Sequence, residues 1–530
     1  MRRSLVPLLA TVCLWSVVCA QSAAADEAQT WDVAVVGGGG GGLAAAATLA
    51  QAGLKVILFE QHVKVGGYMT AFERSDYRFE VSLHAISGFT DEIGASKPLF
   101  RQLGILDKIQ PLRIDIPYRV VFPDFEMDVP ADVGLYHSRL LDRFPQEKEG
   151  IDRLFRMMDN VRFVLQAQAG KAGPPPDEDP GWPFQKYGRA SARAMLSDFI
   201  QDAKLLSLFS WLRMYCGTSL DELPARLFLG MWGTYHYDGY YYVSGGSQAI
   251  SNALAEVIAA NGGRIELSTR VTRIAVEDGK AVAVRTRDGR EFRCRYVVSN
   301  ASGPTTLNEL VGREQLPREY LAELDRMEIG PSILQVYLGV KHDYRSEFRG
   351  AHGITLLETP DLDEEEKAFQ EGSLEKVPFI IVNYSVMDPD VAPAGKNVLT
   401  FTTYMPYDWR NGWHEGEDYE KYVALKQEAA AVLIRRAEKV LPGLGSHIEV
   451  MEVGSPRTME HFTLNPRGAV YGWALKMSNP APQRLAQETP IPNLFLAGVW
   501  TTAGHGQLAA LGSGSRAARL ILDREKSAGK

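Results

Sequence analysis

Trp31-Asp32-Val33-Ala34-Val35-Val36-Gly37-Gly38-Gly39-Gly40-Gly41-Gly42-Leu43 opens a unit that closes with Lys55-Val56-Ile57-Leu58-Phe59-Glu60. The first apolar run has the character of a strand buried on both faces. Gly37, Gly39 and Gly42 stand in the spacing G-x-G-x-x-G, the alanine-rich stretch from Leu43 to Ala52 reads as a helix ending at Gly53, and Lys55 to Phe59 reads as a second strand. Each part has a physical task. The first glycine makes a tight turn, the second lets backbone approach a pyrophosphate, and the third lets helix and strand pack closely. The helix N-terminus then favours an anion through its free N–H groups and dipole. Glu60, closing the second strand, is placed to accept hydrogen bonds from ribose hydroxyls. Six consecutive glycines alone would also suit a flexible tether. Strand, turn, helix, strand and acid in register argue instead for a dinucleotide site.

Working outward, Gly66-Gly67 follows the second strand, where flavoproteins bring backbone close to the cofactor. Near the other end, Asn493-Leu494-Phe495-Leu496-Ala497-Gly498 reads as another buried strand. Gly504-His505-Gly506 and a helix from about Leu508 to Asp523 follow it. This glycine-rich turn, with Gly498 and Gly506, would offer N–H groups to a flavin. In the middle, Gly245-Gly246-Ser247 opens an amphipathic helix through Ala260. Arg264 to Glu277, Ala281 to Arg287 and Glu291 to Ser299 read as strands joined at Asp278-Gly279 and Asp288-Gly289, both hairpin signals. Val271 and Ile274 fall where flavoproteins pass a strand near the adenine, or serve as ordinary core. No second G-x-G-x-x-G follows a strand, so FAD is expected rather than a separate nicotinamide domain.

The chain of 530 residues is too long for one core. The expected fold class is α/β, a Rossmann-like FAD-binding domain (28–83, 244–303 and 455–525) interlocked with a mixed-sheet and helical substrate domain (84–243 and 304–454). A net charge of −8 argues against nucleic acid. Arg2-Arg3, the apolar Leu5 to Ala20 and Ala23-Ala24-Ala25 read as an export signal over residues 1–25, implying a periplasmic or secreted protein. Two leading arginines loosely fit the twin-arginine route, although the Phe-Leu-Lys expected after them is missing. Beyond this segment no window approaches the roughly 20 apolar residues of a spanning helix. Cys216 and Cys294 stand far apart in no metal-like spacing, so they read as buried small hydrophobes, and no metal is expected.

With these segments placed, the chain after residue 30 resembles the phytoene desaturase, carotenoid isomerase and retinol saturase group of FAD-dependent oxidoreductases, within the amine-oxidase-like superfamily. The resemblance is carried by Asp32 to Glu60, Gly66-Gly67, Phe79-Glu80-Val81-Ser82-Leu83-His84, Gly239 to Ser247, Val386-Met387-Asp388-Pro389, Gly454 to Thr458, Gly468 to Gly472 and Asn493 to Gly514. One position departs from many flavoproteins, Val499 standing where an aspartate often binds the ribityl chain or pyrophosphate.

The resemblance implies action on C–C bonds of a hydrophobic, isoprenoid-like polyene by desaturation, saturation or cis–trans isomerisation. Trp232, Tyr235, His236, Tyr237, Tyr240, Tyr241 and Tyr242 run into Gly245 and would either line an apolar tunnel or pack as a core. His84, Tyr242 and His505 are the candidate catalytic residues, though each histidine also reads as a hydrogen-bonded structural one. Flavin chemistry asks the protein mainly for position and dryness, so the lack of an obvious acid–base pair says little. The expected partners are a hydrophobic small-molecule substrate, an electron donor or acceptor of unspecified identity, and a peripheral membrane contact. The competing readings are an amine or small-molecule oxidase and a lipid carrier without turnover.

Overall fold

The computed structural model describes residues 30–528, apart from 177, 415, 417, 478–483 and 503–504. The expected export segment, residues 1–25, and Gly504 lie outside the described residues. The glycine-rich unit folds as expected, with strands Trp31–Val36 and Val56–Phe59 parallel and the helix Gly40–Gln51 between them. The parallel sheet runs Arg264–Glu266, Val56–Phe59, Trp31–Val36, Glu291–Ser299, Leu494–Leu496. The long Glu291–Ser299 strand has two jobs. Its C-terminal half lies between Trp31–Val36 and Leu494–Leu496, and its N-terminal half pairs antiparallel with Lys280–Thr286. Val33, Val35, Val56 and Leu58 are fully buried, each worth about 1.5–3 kcal/mol of transfer free energy.

Arg264 to Glu277 is two strands rather than one. Arg264–Glu266 joins the parallel sheet, while Val271–Glu277 pairs antiparallel with Lys280–Thr286. The break comes at Ser268, whose φ is 53°. There the Ser268 N–H donates to the His62 carbonyl and the Thr269 N–H to that of Glu60, tying the segment to the end of the second strand. The Asp278-Gly279 hairpin forms as expected, with φ values of 49° and 73°. The last helix begins at Gly506 and runs to Ala528, longer at both ends than its apolar periodicity suggested. It crosses Gly40–Gln51 so closely that a Cβ on Gly514 would sit 1.9 Å from the Gly41 carbonyl oxygen.

A second, mixed sheet of seven strands runs Ile448–Gly454, Ser332–Val340, Asn397–Met405, Phe379–Asn383, Ala351–Leu356, Ile116–Phe122, Phe125–Val129. The helices Lys148–Gln168 and Ala225–Asp238 lie in the same half of the sequence as its first two strands. Two charged or proline-rich segments whose composition suggests exposed surface are partly buried. The proline- and acid-rich residues 171–187 contain the helix Trp182–Lys186 and a buried Tyr187. The acidic run at 361–367 begins the helix Leu362–Glu371, and Glu365 within it is buried, because Arg213 (2.6 Å) and Ser207 (3.1 Å) satisfy its carboxylate. No described helix is long and apolar enough to cross a membrane.

Candidate functional site

A cavity of about 810 Å³ opens at the C-terminal ends of the parallel strands, where ligands bind in open α/β sheets. Gly37, Gly39, Glu60, Gly66, Gly67, Val271, Gly498 and Gly506 all line it, together with His84 and His505. Gly42 does not. A Cβ there would fall 2.0 Å from the Gly37 carbonyl oxygen, so it serves the helix–strand contact. Ile274 is fully buried core.

The cradle is built from glycines around one side chain. A Cβ on Gly39 would lie 2.7 Å from Asn300 Nδ2, and one on Gly41 2.5 Å from Asn300 Oδ1 and 2.6 Å from the Gly498 nitrogen. Gly498, at φ 92°, meets the same Asn300 Oδ1 at 2.7 Å. The helix Gly40–Gln51 carries no side-chain cap, so its first-turn N–H groups face the cavity side. Gly506 to Ala510, the first turn of the last helix, also lines the cavity. Glu60 accepts from the backbone N–H groups of Gly38 (2.8 Å) and His62 (2.9 Å), which fixes its carboxylate at the strand end.

At the other end of the cradle, the half-buried Arg484 has no carboxylate partner among the described residues. Its guanidinium donates to the carbonyls of Val499 and Trp473 (3.0 Å to the latter) and to His505 Nε2. Burial lowers the Arg484 pKa to about 10 and holds that of His505 well below the ordinary imidazole range, with the neighbouring guanidinium adding to the latter. A ring nitrogen that accepts from arginine bears no proton, so the neutral His505 carries its proton on Nδ1. That Nδ1 and Gln507 Oε1 are buried and have no partner among the described residues. A donor and an acceptor left unpaired in one cradle fit a ligand that is itself both acceptor and donor. His84 is likewise neutral, burial lowering its pKa to about 4.

Tyr242 departs from expectation. It does not line the cavity but is buried against His352 and Tyr384, with ring centroids 5.8 Å and 5.5 Å away. Of the aromatic run before Gly245, Tyr235 alone is on the cavity wall. Tyr240, Tyr241 and Tyr242 are core because Tyr240–Val243 is the central strand of a three-stranded sheet, all four residues buried. Trp232, His236 and Tyr237 are buried on the helix Ala225–Asp238, with Trp232 and His236 packed on Phe155 and Tyr136. The motif stretches around them form a clamp. Glu80 accepts from Ser82 N–H (3.0 Å), Leu83 N–H (3.0 Å), Ser247 N–H (2.8 Å) and the Ser247 hydroxyl (2.6 Å). Asp388 accepts from Gly245 N–H (2.8 Å) and pairs with Arg78 (3.1 Å). Two carboxylates thus secure the N-terminus of the helix Gly246–Ala260 and hold the Val81–His84 segment on the cavity wall.

Asn300 and Arg484 carry no motif and were missed, as were Gln507 as an individual residue within the closing stretch and, Tyr235 apart, the cavity face of Ala225–Asp238. Asn300 had one available signal, a polar residue directly after a buried strand of the parallel sheet.

A two-layer glycine cradle facing two helix N-termini at the end of a parallel sheet defines a dinucleotide-binding flavoprotein. The chain belongs to the family of flavin-containing amine oxidoreductases, whose pattern matches residues 41–522. It is 29% identical over 516 residues to a chloroplastic prolycopene isomerase of Arabidopsis thaliana, covering 93% of this chain and 82% of that one. It is 25% identical over 510 residues to an all-trans-retinol 13,14-reductase of Danio rerio, covering 88% and 82%. Among solved structures, an oxidoreductase from Methanosarcina mazei shares the fold with a TM-score of 0.64 at 19% identity, covering 92% of this chain and all of that one. The protein is thus a FAD-binding oxidoreductase of this family, similar in sequence to carotenoid isomerases and a retinol reductase.

Proposed function

We propose that this oxidoreductase acts on C–C bonds of a hydrophobic, isoprenoid-like polyene, by desaturation, saturation or cis–trans isomerisation. The observation that carries the reading is the wall of the cavity beyond the cradle. It is built of Leu165, Trp211, Met214, Tyr215, Met231 and Tyr235, while its lining acids, Glu60 and Glu309, belong to the nucleotide side of the sheet. An amine substrate would call for a carboxylate or an equivalent polar site in that wall. The polyene chemistry of the isomerase and reductase relatives supports the same reading.

Gly39, Gly41 and Gly67 would hold the pyrophosphate backbone-to-anion, while Gly37, Gly66 and Gly498, whose N–H groups are bonded within the protein, would leave it room. Glu60 would take the adenosine ribose, and Val271 the adenine side. Gly506, Gln507 and the His505 Nδ1–H would face the flavin end. When bound there, FAD supplies hydride transfer through its ring system. The protein's own contribution is placement and dryness. Apolar walls exclude water and set the register of a chain that offers no charged handle near its reacting bonds. His505 keeps its proton at Nδ1 because Arg484 occupies Nε2, which makes it a fixed donor at that atom.

Titration of the FAD-loaded protein with carotenoids and retinoids, followed through the flavin's visible spectrum, tests the reading. A perturbed spectrum with flavin-dependent conversion of the polyene is expected. Rapid flavin reduction by a polar amine, with no response to any polyene, would overturn it.

A further inference from the structure

We infer that the outer limb of the cavity is a channel for one elongated apolar chain ending in an anionic group, with Gly230 leaving its bore open and Arg226 receiving the end group. The inference rests on the cavity being the substrate site. The helix Ala225–Asp238 contributes Arg226, Leu227, Gly230, Met231, Thr234 and Tyr235 to the wall. These form two rows at i, i+4 and i+8, hence one face. The rows extend about 12 Å along the helix axis. One row, Leu227-Met231-Tyr235, is apolar and aromatic. The other, Arg226-Gly230-Thr234, begins with a cation and has a gap at its centre.

Gly230 has no structural reason to be glycine. A glycine inside a helix is destabilising relative to alanine. Its φ is not positive, and a Cβ built there meets nothing within 4 Å. Gly233 on the same helix is different, since a Cβ there would lie 2.7 Å from Leu165 Cδ1 and 3.1 Å from Val161 Cγ1, so close packing accounts for it. At Gly230 what the missing side chain leaves is room in the cavity, and any larger residue would project into that space.

Arg226 closes the row at the surface. It is exposed and makes no ion pair or hydrogen bond among the described residues. Glu222, four residues earlier, is committed to the Met477 N–H at 2.7 Å. Among the described residues no acid of this limb lines the cavity. A single unpaired guanidinium at the outer end of an uncharged limb complements a carboxylate or similar anion, which it can bind in bidentate fashion.

The test uses the FAD-loaded protein, with all-trans-retinoic acid and all-trans-retinol as probes of matched chain and different end group. Binding is read from the flavin spectrum and tryptophan quenching. The wild type should prefer the acid. Arg226→Gln should weaken the acid about ten-fold and the alcohol less than about two-fold. Gly230→Leu should weaken both by about ten-fold or more at unchanged flavin content, while Gly230→Ala should keep the fold and weaken them less. Retinol binding without preference for the acid, or equal effects of Arg226→Gln on both ligands, would overturn the end-group assignment and leave the polyene reading standing. Wild-type affinity in Gly230→Leu would overturn the bore. If the wild type bound neither ligand while retaining FAD, the polyene reading and this inference would fall together.

Discussion

Asn300 is wedged among Gly39, Gly41 and Gly498, and this sets what each glycine tolerates. The Gly39 backbone is extended and conformationally ordinary, with φ −73°, so a substitution there acts through space rather than strain. Gly39→Val would push branched carbon into Asn300 and the cradle, and purified variant should show little flavin absorbance per mole of protein. Normal flavin content would remove Gly39 from the site. Tyr242 belongs to a different class of residue, since it is 1% exposed and off the cavity. Tyr242→Ala should cost about 3–5 kcal/mol of stability as a core truncation, with flavin and activity lost together. Retained stability and flavin with lost turnover would return Tyr242 to the substrate wall. The sequence could not separate these two roles, because a tyrosine run before a glycine turn looks the same whether it faces a tunnel or a core. Burial of alternate residues is decided by the strands on either side, here Ile86–Ser87 and Pro111–Ile114.

At the scale of elements, the helix Gly246–Ala260 is the hinge between motif and site. Its N-cap is a glycine in the left-handed region, φ 79°, with no cap of its own, so Glu80 and Asp388 supply the anions from distant segments. Glu80→Gln keeps the volume but turns an N–H2 group toward donors that now need an acceptor. It should lower stability by about 1–3 kcal/mol, measured by denaturant unfolding, and loosen the Val81–His84 wall without touching the cradle glycines. An unchanged unfolding midpoint would show that the clamp is not needed. The strand–glycine–helix unit and the closing Leu494–Leu496 strand were legible because local pattern and tertiary role coincide there. Arg264 to Glu277 was not, since its division into two strands depends on hydrogen bonds to His62 and Glu60, some 200 residues earlier. Arg484 and Gln507 were illegible for the same reason, their partners being brought together only by the fold.

Across the whole molecule, burial keeps several imidazoles neutral. It lowers the pKa of His236 and of His352 to about 3 and that of His84 to about 4. The unfolded chain takes up a proton at His236 below about pH 6.5, whereas the folded chain does so only near 3. Stability from the neutral ring is therefore complete above 6.5 and is lost as pH falls from 6.5 toward 3, by about 3 kcal/mol at pH 4 for this one residue. Denaturation measured between pH 7 and 4 should show a steep acid loss that is shallower in His236→Phe, and identical slopes would contradict neutral burial. Of these three only His84 lines the cavity, and its neutral ring beside the apolar and aromatic wall would suit a substrate without charge at its reacting bonds. That claim is tested most directly by a single-turnover experiment. FAD-loaded protein, with its flavin set oxidised or reduced under anaerobic conditions, is mixed with one equivalent of a carotenoid or retinoid polyene, and the flavin spectrum and the extracted polyene are followed together. A desaturated, saturated or isomerised polyene is expected, forming only when flavin is bound in one of its redox states. Unaltered polyene across a broad panel, while a polar amine reduces the flavin within the same experiment, would contradict it.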